Sequence, residues 1–501
     1  MGSVFVSSLA SVGLDVYRVR VEVDISVGLP GFHIVGLADA AVQESKDRIR
    51  SALANSGYPM PRGKITVNLA PADLHKTGSS FDLPIALGIL ACSQRHLIKY
   101  TQRAGLFFAG ELGLDGRIQP IPQSFLFADW ATRNEQDLFL SSTSLASPFL
   151  VSSCGLYGAS SVKDLLKQCE NGRFQHLSLQ KVDTALSSES RSDVDFAHVF
   201  GHTHAKRGLE IAATGGHHVL LWGSPGAGKT MLARALHSIL PEPSHQELNE
   251  ICRIYALRSG VHYNHLYRPF RSPHHTGSLV SLIGGGRRMY PGEVSLAHQG
   301  ILFLDEFTEF PRSHIESLRQ PLQDARIVLS RASYRCTLPA HFQLVAATNP
   351  CPCGFLGDDT TPCTCYQTLK QRYVAKISGP ILDRIDIHLH LRRHSTSTLL
   401  NNNPARPSSA KIRTRVMQGR AFGKSLHITK PFALRHLRHF GFTDQLLTHT
   451  AQLAEVEKLT SRSFVKLLHI ARTIANLEES RLVTKDHIDE AWSFKSHMSL
   501  G

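Results

Sequence analysis

Eight consecutive residues of this 501-residue chain have the types and spacing of a loop that binds the phosphates of a nucleoside triphosphate. They fit the pattern G-x-x-x-x-G-K-[ST] and are Gly223, Ser224, Pro225, Gly226, Ala227, Gly228, Lys229 and Thr230. The glycines let backbone N–H groups close around phosphate oxygens, and a helix N-terminus adds a favourable dipole. We expect Lys229 to reach the β- and γ-phosphates of ATP and the Thr230 hydroxyl to bind Mg²⁺. A glycine-rich turn without a ligand is the alternative.

Two carboxylates at the end of another apolar run supply the second half of a hydrolytic site. Residues 301–304 predict a buried strand that ends at Asp305 and Glu306. Asp305 would hold Mg²⁺ through water and Glu306 would orient the attacking water, since phosphoryl transfer depends on positioning and charge neutralisation. A further apolar run ends near Asn349, whose amide would touch the γ-phosphate or the water. Asparagine also caps turns, which is the alternative for that residue.

Four of the nine cysteines lie close together in the sequence, as Cys351, Cys353, Cys363 and Cys365. Four thiolates in a short loop that contains glycine and proline can form a tetrahedral Zn²⁺ site, and we predict a structural one. The C-x-C spacing is tighter than the usual C-x₂-C, so four free thiols are the alternative. The other five cysteines are scattered, which indicates a reducing compartment.

The hydrophobic pattern around these residues predicts an α/β protein. The apolar runs 218–222 and 231–236 give the phosphate loop its preceding strand and following helix. Alternating or apolar segments predict further strands over Val19–Ile25 and Ile65–Leu69. Helical spacing predicts helices over Asp39–Leu53, Leu83–Cys92, Gln445–Leu459, Phe464–Leu477 and Thr484–Phe494.

We divide the chain into four segments. Residues 1–168 form an N-terminal α+β domain, and the polar, serine-rich residues 169–195 form a linker. Residues 196–394 form the ATPase core with the cysteine cluster. Residues 395–501 form a basic linker followed by helices.

The positive charge is concentrated in the second part of the chain. Residues 1–170 carry 15 basic and 15 acidic side chains, whereas residues 171–501 carry 40 basic and 26 acidic ones and so the whole net charge of +14. This distribution favours a polyanionic partner, with a merely soluble basic surface as the alternative. We expect a cytoplasmic protein that does not enter the membrane, because no apolar run approaches about 20 residues and no signal-peptide pattern opens the chain.

Several longer motifs resemble the YifB/ComM family of magnesium-chelatase-like AAA+ ATPases. The matching segments are Arg268–His275, Gly284–Gly286, Pro291–His298, Asn349–Gly354, Ser378–Asp386, Gly36–Asp39 and Asn68–Leu74. The resemblance spans nearly the whole chain. It implies a Lon-protease-like N-terminal domain, an AAA+ P-loop α/β core and a C-terminal helical lid.

The resemblance also implies roles for two arginines. Arg384 resembles an arginine finger that acts on the nucleotide of a neighbouring subunit, which implies a ring, with a homo-hexamer expected. Arg462 resembles the sensor arginine of the lid, and a surface salt bridge is the alternative for both. The chain departs from the family pattern at Gln320 and Gln323, where glutamate is more typical, and at Lys466, where arginine is expected. These departures put assembly contacts in doubt rather than hydrolysis.

Two segments are candidates for a DNA-binding pore of the ring. One is a glycine-rich loop that contains Arg287 and Arg288, and the other is a predicted hairpin over residues 326–339 that contains Arg331 and Arg335. Arginine neutralises phosphates, and no base-reading motif is visible, so we expect sequence-independent binding. Purely structural loops are the alternative.

The Lon-like resemblance raises the question of proteolysis, which would need a serine nucleophile paired with a lysine. Ser79 and Ser80 are present, but Asp82 stands about where the nucleophile is expected. We therefore expect a scaffold or a DNA-gripping domain.

Together these features predict an ATP-driven, ring-forming DNA motor. The family resemblance implies branch migration of single-stranded or branched DNA during natural transformation. A protein-remodelling or metallochelatase-type ATPase that does not act on DNA is the first alternative. A DNA-binding module that uses ATP only to assemble is the second, and Glu306 argues against it.

Overall fold

The computed structural model divides the chain into two compact units. The first comprises Met1–Asp183, His245–Asn264 and Ser330–Thr337, and the second comprises Thr184–Ser244, His265–Leu329 and Leu338–Gly501. The structure describes residues 3–36, 39–74, 76, 78–144, 154–177, 194–258, 266–286, 289–331, 334–358, 360–393, 407–427 and 436–495. None of the helices in these ranges has the length and apolar character to cross a membrane.

The described elements alternate between strands and helices along much of the chain. The strands are β1 (Val4–Val12), β2 (Asp15–Ser26), β3 (Gly31–Val35), β4 (Lys64–Ala70), β5 (Leu106–Phe108), β6 (Glu111–Leu112), β7 (Ile118–Gln119), β8 (Asp137–Ser141), β9 (Leu156–Ala159), β10 (Val219–Gly223), β11 (Phe270–Arg271), β12 (Gly284–Gly285), β13 (Tyr290–Pro291), β14 (Ile301–Leu304), β15 (Arg326–Arg331), β16 (Tyr334–Pro339), β17 (Gln343–Thr348) and β18 (Ile387–Leu391). The helices are α1 (Ala40–Asn55), α2 (Asp82–Ser93), α3 (Ile98–Thr101), α4 (Ser124–Arg133), α5 (Val162–Asn171), α6 (Thr203–Gly215), α7 (Lys229–Ile239), α8 (His245–Ala256), α9 (Leu279–Ile283), α10 (Glu293–Leu296), α11 (Arg312–Ser317), α12 (Arg319–Asp324), α13 (Gln367–Val374), α14 (Gly379–Leu382), α15 (Ser409–Ser425), α16 (Asp444–Val456), α17 (Ser461–Leu477) and α18 (Lys485–Ser493). The mixed α/β class, the strands, the helices and the 326–339 hairpin predicted from the sequence are confirmed.

The first unit contains a four-stranded sheet in the order β1-β2-β4-β3 and a three-stranded sheet in the order β5-β8-β9. In β2 the valines at 19, 21 and 23 are buried and alternate with more exposed polar residues. This period of two is what a strand with one covered face requires. Helix α2 is buried along most of its length and contacts both β1 and β2. The apolar run that predicted α2 therefore reflects a core helix.

The second unit is built on a five-stranded sheet in the order β11-β14-β17-β10-β18. Neighbouring strands run parallel throughout, as in the pairing of Leu220 with Ala346 and of Phe303 with Val345. All residues of β14 and β17 are buried, as expected for strands of a parallel sheet with both faces covered. Because the strands are parallel, their carboxyl ends meet at one edge, where ligands of α/β proteins commonly bind.

A buried ion pair joins this sheet to the C-terminal helices of the same unit. The Lys466 ammonium in α17 lies 2.6 Å from a carboxylate oxygen of Asp386, just before β18. The backbone N–H of His218 donates to the other oxygen at 3.0 Å. Burial alone would raise the pKa of Asp386, but Lys466 and His217 hold that pKa well below its ordinary value. Lys466, one of the departures from the family pattern, therefore has a partner within its own chain.

We predict that Lys466→Met destabilises the protein, because it leaves the buried Asp386 carboxylate without its ammonium partner. The expected loss is about 3 kcal/mol of unfolding free energy, measured by urea denaturation. Lys466→Arg is the matched control and should retain most of the stability, since it restores the positive charge. A methionine variant as stable as the parent chain would contradict the role given to this pair.

Candidate functional site

The phosphate-loop sequence forms the connection between β10 and α7. Gly226 and Gly228 have φ values of 77° and 85°, in the left-handed region that glycine adopts without a steric penalty. Helix α7 begins at Lys229, so its first N–H groups face the concave side of the loop. The predicted strand–loop–helix arrangement is confirmed.

The Lys229 ammonium is held inside this loop by three acceptors. It donates to the backbone carbonyls of Gly223 at 2.7 Å and Ser224 at 3.1 Å, and to Oδ1 of Asn349 at 2.9 Å. Burial lowers the pKa of Lys229, and the charges of Asp305 and Glu306 oppose that shift. The Lys229 ammonium can exchange these polar acceptors for the oxygens of a bound phosphate, because all of them are hydrogen-bond acceptors.

The two predicted carboxylates follow β14, whose neighbour β17 ends beside Asn349. Oδ2 of Asp305 accepts a hydrogen bond from the Thr230 hydroxyl at 2.9 Å. These two oxygens form the donor set that a hard divalent cation such as Mg²⁺ prefers, so the residues fit the expected ion. The structure thus brings together Lys229, Thr230, Asp305 and Asn349.

Glu306 has a contact that the sequence interpretation missed. One of its carboxylate oxygens lies 3.4 Å from Nδ1 of His275, and its backbone adopts a φ of 50°. His275 lies four residues beyond β11, the strand that pairs with β14. Its presence in a motif segment was the only sequence signal, because the contact spans 31 positions and depends on strand pairing.

Arg384, the candidate arginine finger, has its described hydrogen bonds outside the phosphate loop of its own chain. Arg384 donates to the carbonyl of Pro380 and to Oε1 of Gln323, each at 2.7 Å. Burial lowers the pKa of Arg384, and the nearby charges of Arg462 and Arg319 lower it further. Arg462 itself is exposed near the start of α17. Gln323, a departure from the family pattern, is therefore a direct partner of the candidate finger.

The four clustered cysteines also come together in space. Their sulfur atoms all lie within 4.8 Å of one another. All nine cysteines of the chain fall within the described residues, and all are free thiols. A group of four thiols at this separation is a candidate metal site.

The candidate DNA-binding residues are only partly described. Arg287 and Arg288 lie outside the described residues, and Arg331 is the last residue of β15. Arg335 in β16 is exposed. Its neighbour Cys336 is buried, and burial raises the pKa of that thiol. The hairpin is thus present, while its contact with DNA stays a prediction.

The N-terminal unit does not pair its serine with its lysine in the described contacts. The Ser79 hydroxyl donates to Glu111, and the fully buried Lys76 donates to the carbonyl of Pro71. Asp82 forms a two-point ion pair with Arg48 at 2.7 and 3.1 Å. Burial raises the pKa of Asp82 to about 6, despite that arginine. The absence of proteolytic chemistry in this domain stays a prediction.

The fold and the site define a P-loop nucleotide-binding protein. Family models for the magnesium chelatase subunit ChlI match residues 195–399 and 21–143. The model of the ChlI C-terminal region matches residues 406–495. These three matches cover the site and both flanking parts of the chain.

Similarity to individual proteins extends over nearly the full length. The chain is 38% identical over 499 residues to YifB of Escherichia coli strain K12, covering 98% of this chain and 96% of that protein. It is 35% identical over 518 residues to the competence protein ComM of Haemophilus influenzae, covering 100% of this chain and 99% of ComM. A shorter stretch of 169 residues is 28% identical to the DNA helicase MCM8 of Bos taurus, covering 30% of this chain and 18% of MCM8. The chain belongs to the YifB/ComM family of magnesium-chelatase-like AAA+ ATPases, a class that implies ATP and Mg²⁺ as ligands.

Proposed function

We propose that this protein is an ATP-driven, ring-forming motor that promotes branch migration of DNA. The observation that carries the proposal is the convergence of Lys229, Thr230, Asp305 and Asn349, with Glu306 adjacent, at one sheet edge. A site with these groups in contact can both bind a nucleoside triphosphate and hydrolyse it. The DNA part is supported by the relation to ComM, a competence protein, and by the partial similarity to MCM8, a DNA helicase.

Each side chain of the site has a separate task in this proposal. Lys229 moves from the carbonyls of its own loop to the β- and γ-phosphates and neutralises their charge. Thr230 and Asp305 hold Mg²⁺, which supplies further charge neutralisation when it is bound. Glu306 orients the attacking water and accepts its proton, while Asn349 senses the terminal phosphate.

Arg384 is proposed to act on the site of a neighbouring subunit, in a homo-hexamer. Its described hydrogen bonds go to Pro380 and Gln323, neither of which belongs to the phosphate loop of its own chain. A guanidinium that arrives from a neighbour would make hydrolysis depend on assembly. Arg462 is proposed to sense the nucleotide from a C-terminal helical lid, which together with a basic linker would make up residues 395–501.

The energy is proposed to move single-stranded or branched DNA without sequence preference. Residues 171–501 carry the entire net charge of +14, which supports binding to phosphates. Arg287, Arg288, Arg331 and Arg335 are the proposed pore contacts. The Lon-like domain, residues 1–168, would act as a scaffold, and the setting would be DNA integration in the cytoplasm during natural transformation.

A protein-remodelling or metallochelatase-type ATPase is the second candidate, because the matching family models carry the name of magnesium chelatase. Such a protein would hydrolyse ATP at the same nucleotide site in order to act on a polypeptide or porphyrin partner. Its ATP hydrolysis would not respond to DNA.

We predict that single-stranded or branched DNA stimulates ATP hydrolysis, measured by phosphate release at several salt concentrations. Lys229→Ala should lose ATP binding. Glu306→Gln should still bind ATP but hydrolyse it about 100-fold more slowly, because it lacks the group that activates water. DNA binding should weaken steeply with salt, as counterion release requires. If DNA does not change the ATPase activity and no salt-sensitive DNA binding is found, the results would instead favour the second candidate.

We also predict that two inactive variants complement each other. Arg384→Ala retains Glu306, and Glu306→Gln retains Arg384, so a ring that mixes them contains intact sites between unlike neighbours. In an equal mixture about a quarter of the interfaces are intact, and ATPase activity should recover toward that fraction. Exchange of subunits between the two variants would be verified by fluorescence. If the mixed rings then show no restored ATPase activity, Arg384 does not act in the site of a neighbouring subunit.

A further inference from the structure

Three sulfur atoms of the cysteine cluster have separations close to those of a tetrahedral metal site, and all four lie within 4.8 Å of one another. Cys351 Sγ lies 3.3 Å from Cys353 Sγ and 3.7 Å from Cys363 Sγ, and Cys353 Sγ lies 3.6 Å from Cys363 Sγ. Four sulfurs about 2.3 Å from one Zn²⁺ would lie about 3.8 Å apart at tetrahedral angles. A disulfide would bring two sulfurs to about 2.05 Å, so these pairs are not disulfides.

The described residues of the segment between the cysteine pairs form no helix or strand that would hold it. Between β17 and α13 the described residues form turns and bends. The backbone N–H of Cys353 in the first cysteine pair donates to Cys365 Sγ in the second pair at 3.4 Å. A metal bound by both cysteine pairs would therefore be the main element that fixes this loop.

The same loop lies directly against the phosphate loop. Gly354 is buried and has a φ of 86°, and its N–H donates to the carbonyl of Cys351 at 3.0 Å. A Cβ added at Gly354 would lie 2.6 Å from Cδ of Pro225. The turn that carries the first cysteine pair thus supports the third residue of the phosphate loop, at a distance that leaves no room for a side chain.

A further contact joins these segments. Asn349, two residues before Cys351, accepts the hydrogen bond from Lys229 at 2.9 Å. Asp358 lies within the cysteine loop, and its Oδ1 accepts hydrogen bonds from the Thr360 hydroxyl at 2.7 Å and the Thr361 backbone N–H at 3.0 Å, which hold the pKa of its carboxyl below the ordinary range. The phosphate loop is therefore contacted at Pro225 by Gly354 and at Lys229 by Asn349.

We propose that Cys351, Cys353, Cys363 and Cys365 hold one structural Zn²⁺, and that the metal-bound loop keeps Pro225 in the conformation in which the phosphate loop binds ATP. This inference rests on the nucleotide site proposed above. It adds that zinc occupancy controls the affinity of that site. No open coordination position is left for catalysis, since four thiolates complete a tetrahedral structural site.

The first test measures zinc and ATP binding on the full-length protein. Metal analysis by mass spectrometry after purification under reducing conditions should find one zinc per chain. Cys363→Ser should lose zinc and bind a fluorescent ATP analogue at least about tenfold more weakly, a loss of about 1.4 kcal/mol. Cys154→Ser, a half-buried thiol outside the cluster, is the control and should change neither quantity.

Alanine variants at two glycines distinguish the effect of contact with the phosphate loop from the effect of disturbing the cysteine loop itself. Gly354 and Gly357 both have positive φ values, 86° and 76°, so alanine strains the backbone similarly at both positions. A Cβ at Gly357 meets nothing within 4 Å, whereas one at Gly354 meets Pro225. Both alanine variants should keep zinc, and only Gly354→Ala should weaken ATP binding, by about tenfold.

Four results would overturn the inference. A parent protein without zinc would remove the metal site. Zinc loss with unchanged ATP affinity, or equal affinities for Gly354→Ala and Gly357→Ala, would remove the coupling. A zinc-loaded parent protein that fails to bind ATP would overturn both the coupling and the proposed nucleotide site, and that result is distinguishable because the metal analysis stays positive.

Discussion

The parallel pairing of five strands is the constraint on which the site depends. Because β10, β14 and β17 run in the same direction, the phosphate loop, the carboxylate pair and Asn349 all emerge at one edge. The hydrogen bond between Lys229 and Asn349 then links residues that are 120 positions apart in the sequence. An antiparallel arrangement of the same strands would send these groups to opposite edges and leave no hydrolytic site.

Two kinds of support surround this edge. The buried pair of Asp386 and Lys466 fixes the C-terminal helices of the second unit to the sheet next to β10. The cysteine loop supports the phosphate loop through the contact between Gly354 and Pro225. We therefore propose that nucleotide binding depends on residues outside the phosphate loop as well as on the loop itself. If a structural metal holds the cysteine loop, binding or loss of that metal would change the affinity for ATP.

Local pattern was enough to predict the phosphate loop, the strand before Asp305 and the cysteine cluster, since each occupies a short run of sequence. The partners of these groups could not be predicted in the same way. The approach of His275 to Glu306 depends on the pairing of β11 with β14, and that of Gly354 to Pro225 depends on the path of an irregular loop. Lys466 stood out only as a departure from the family pattern, and its buried partner Asp386 became visible only in the fold.

The central claim is that ATP hydrolysis at Lys229 and Glu306 moves a DNA junction. The most direct measurement follows a fluorescently labelled three-stranded junction through strand displacement, with the purified protein, Mg²⁺ and ATP. The account predicts displacement by the parent protein and none by Glu306→Gln, which should bind ATP without turning it over. Rapid ATP hydrolysis by the parent protein with the junction left in place would contradict the claim.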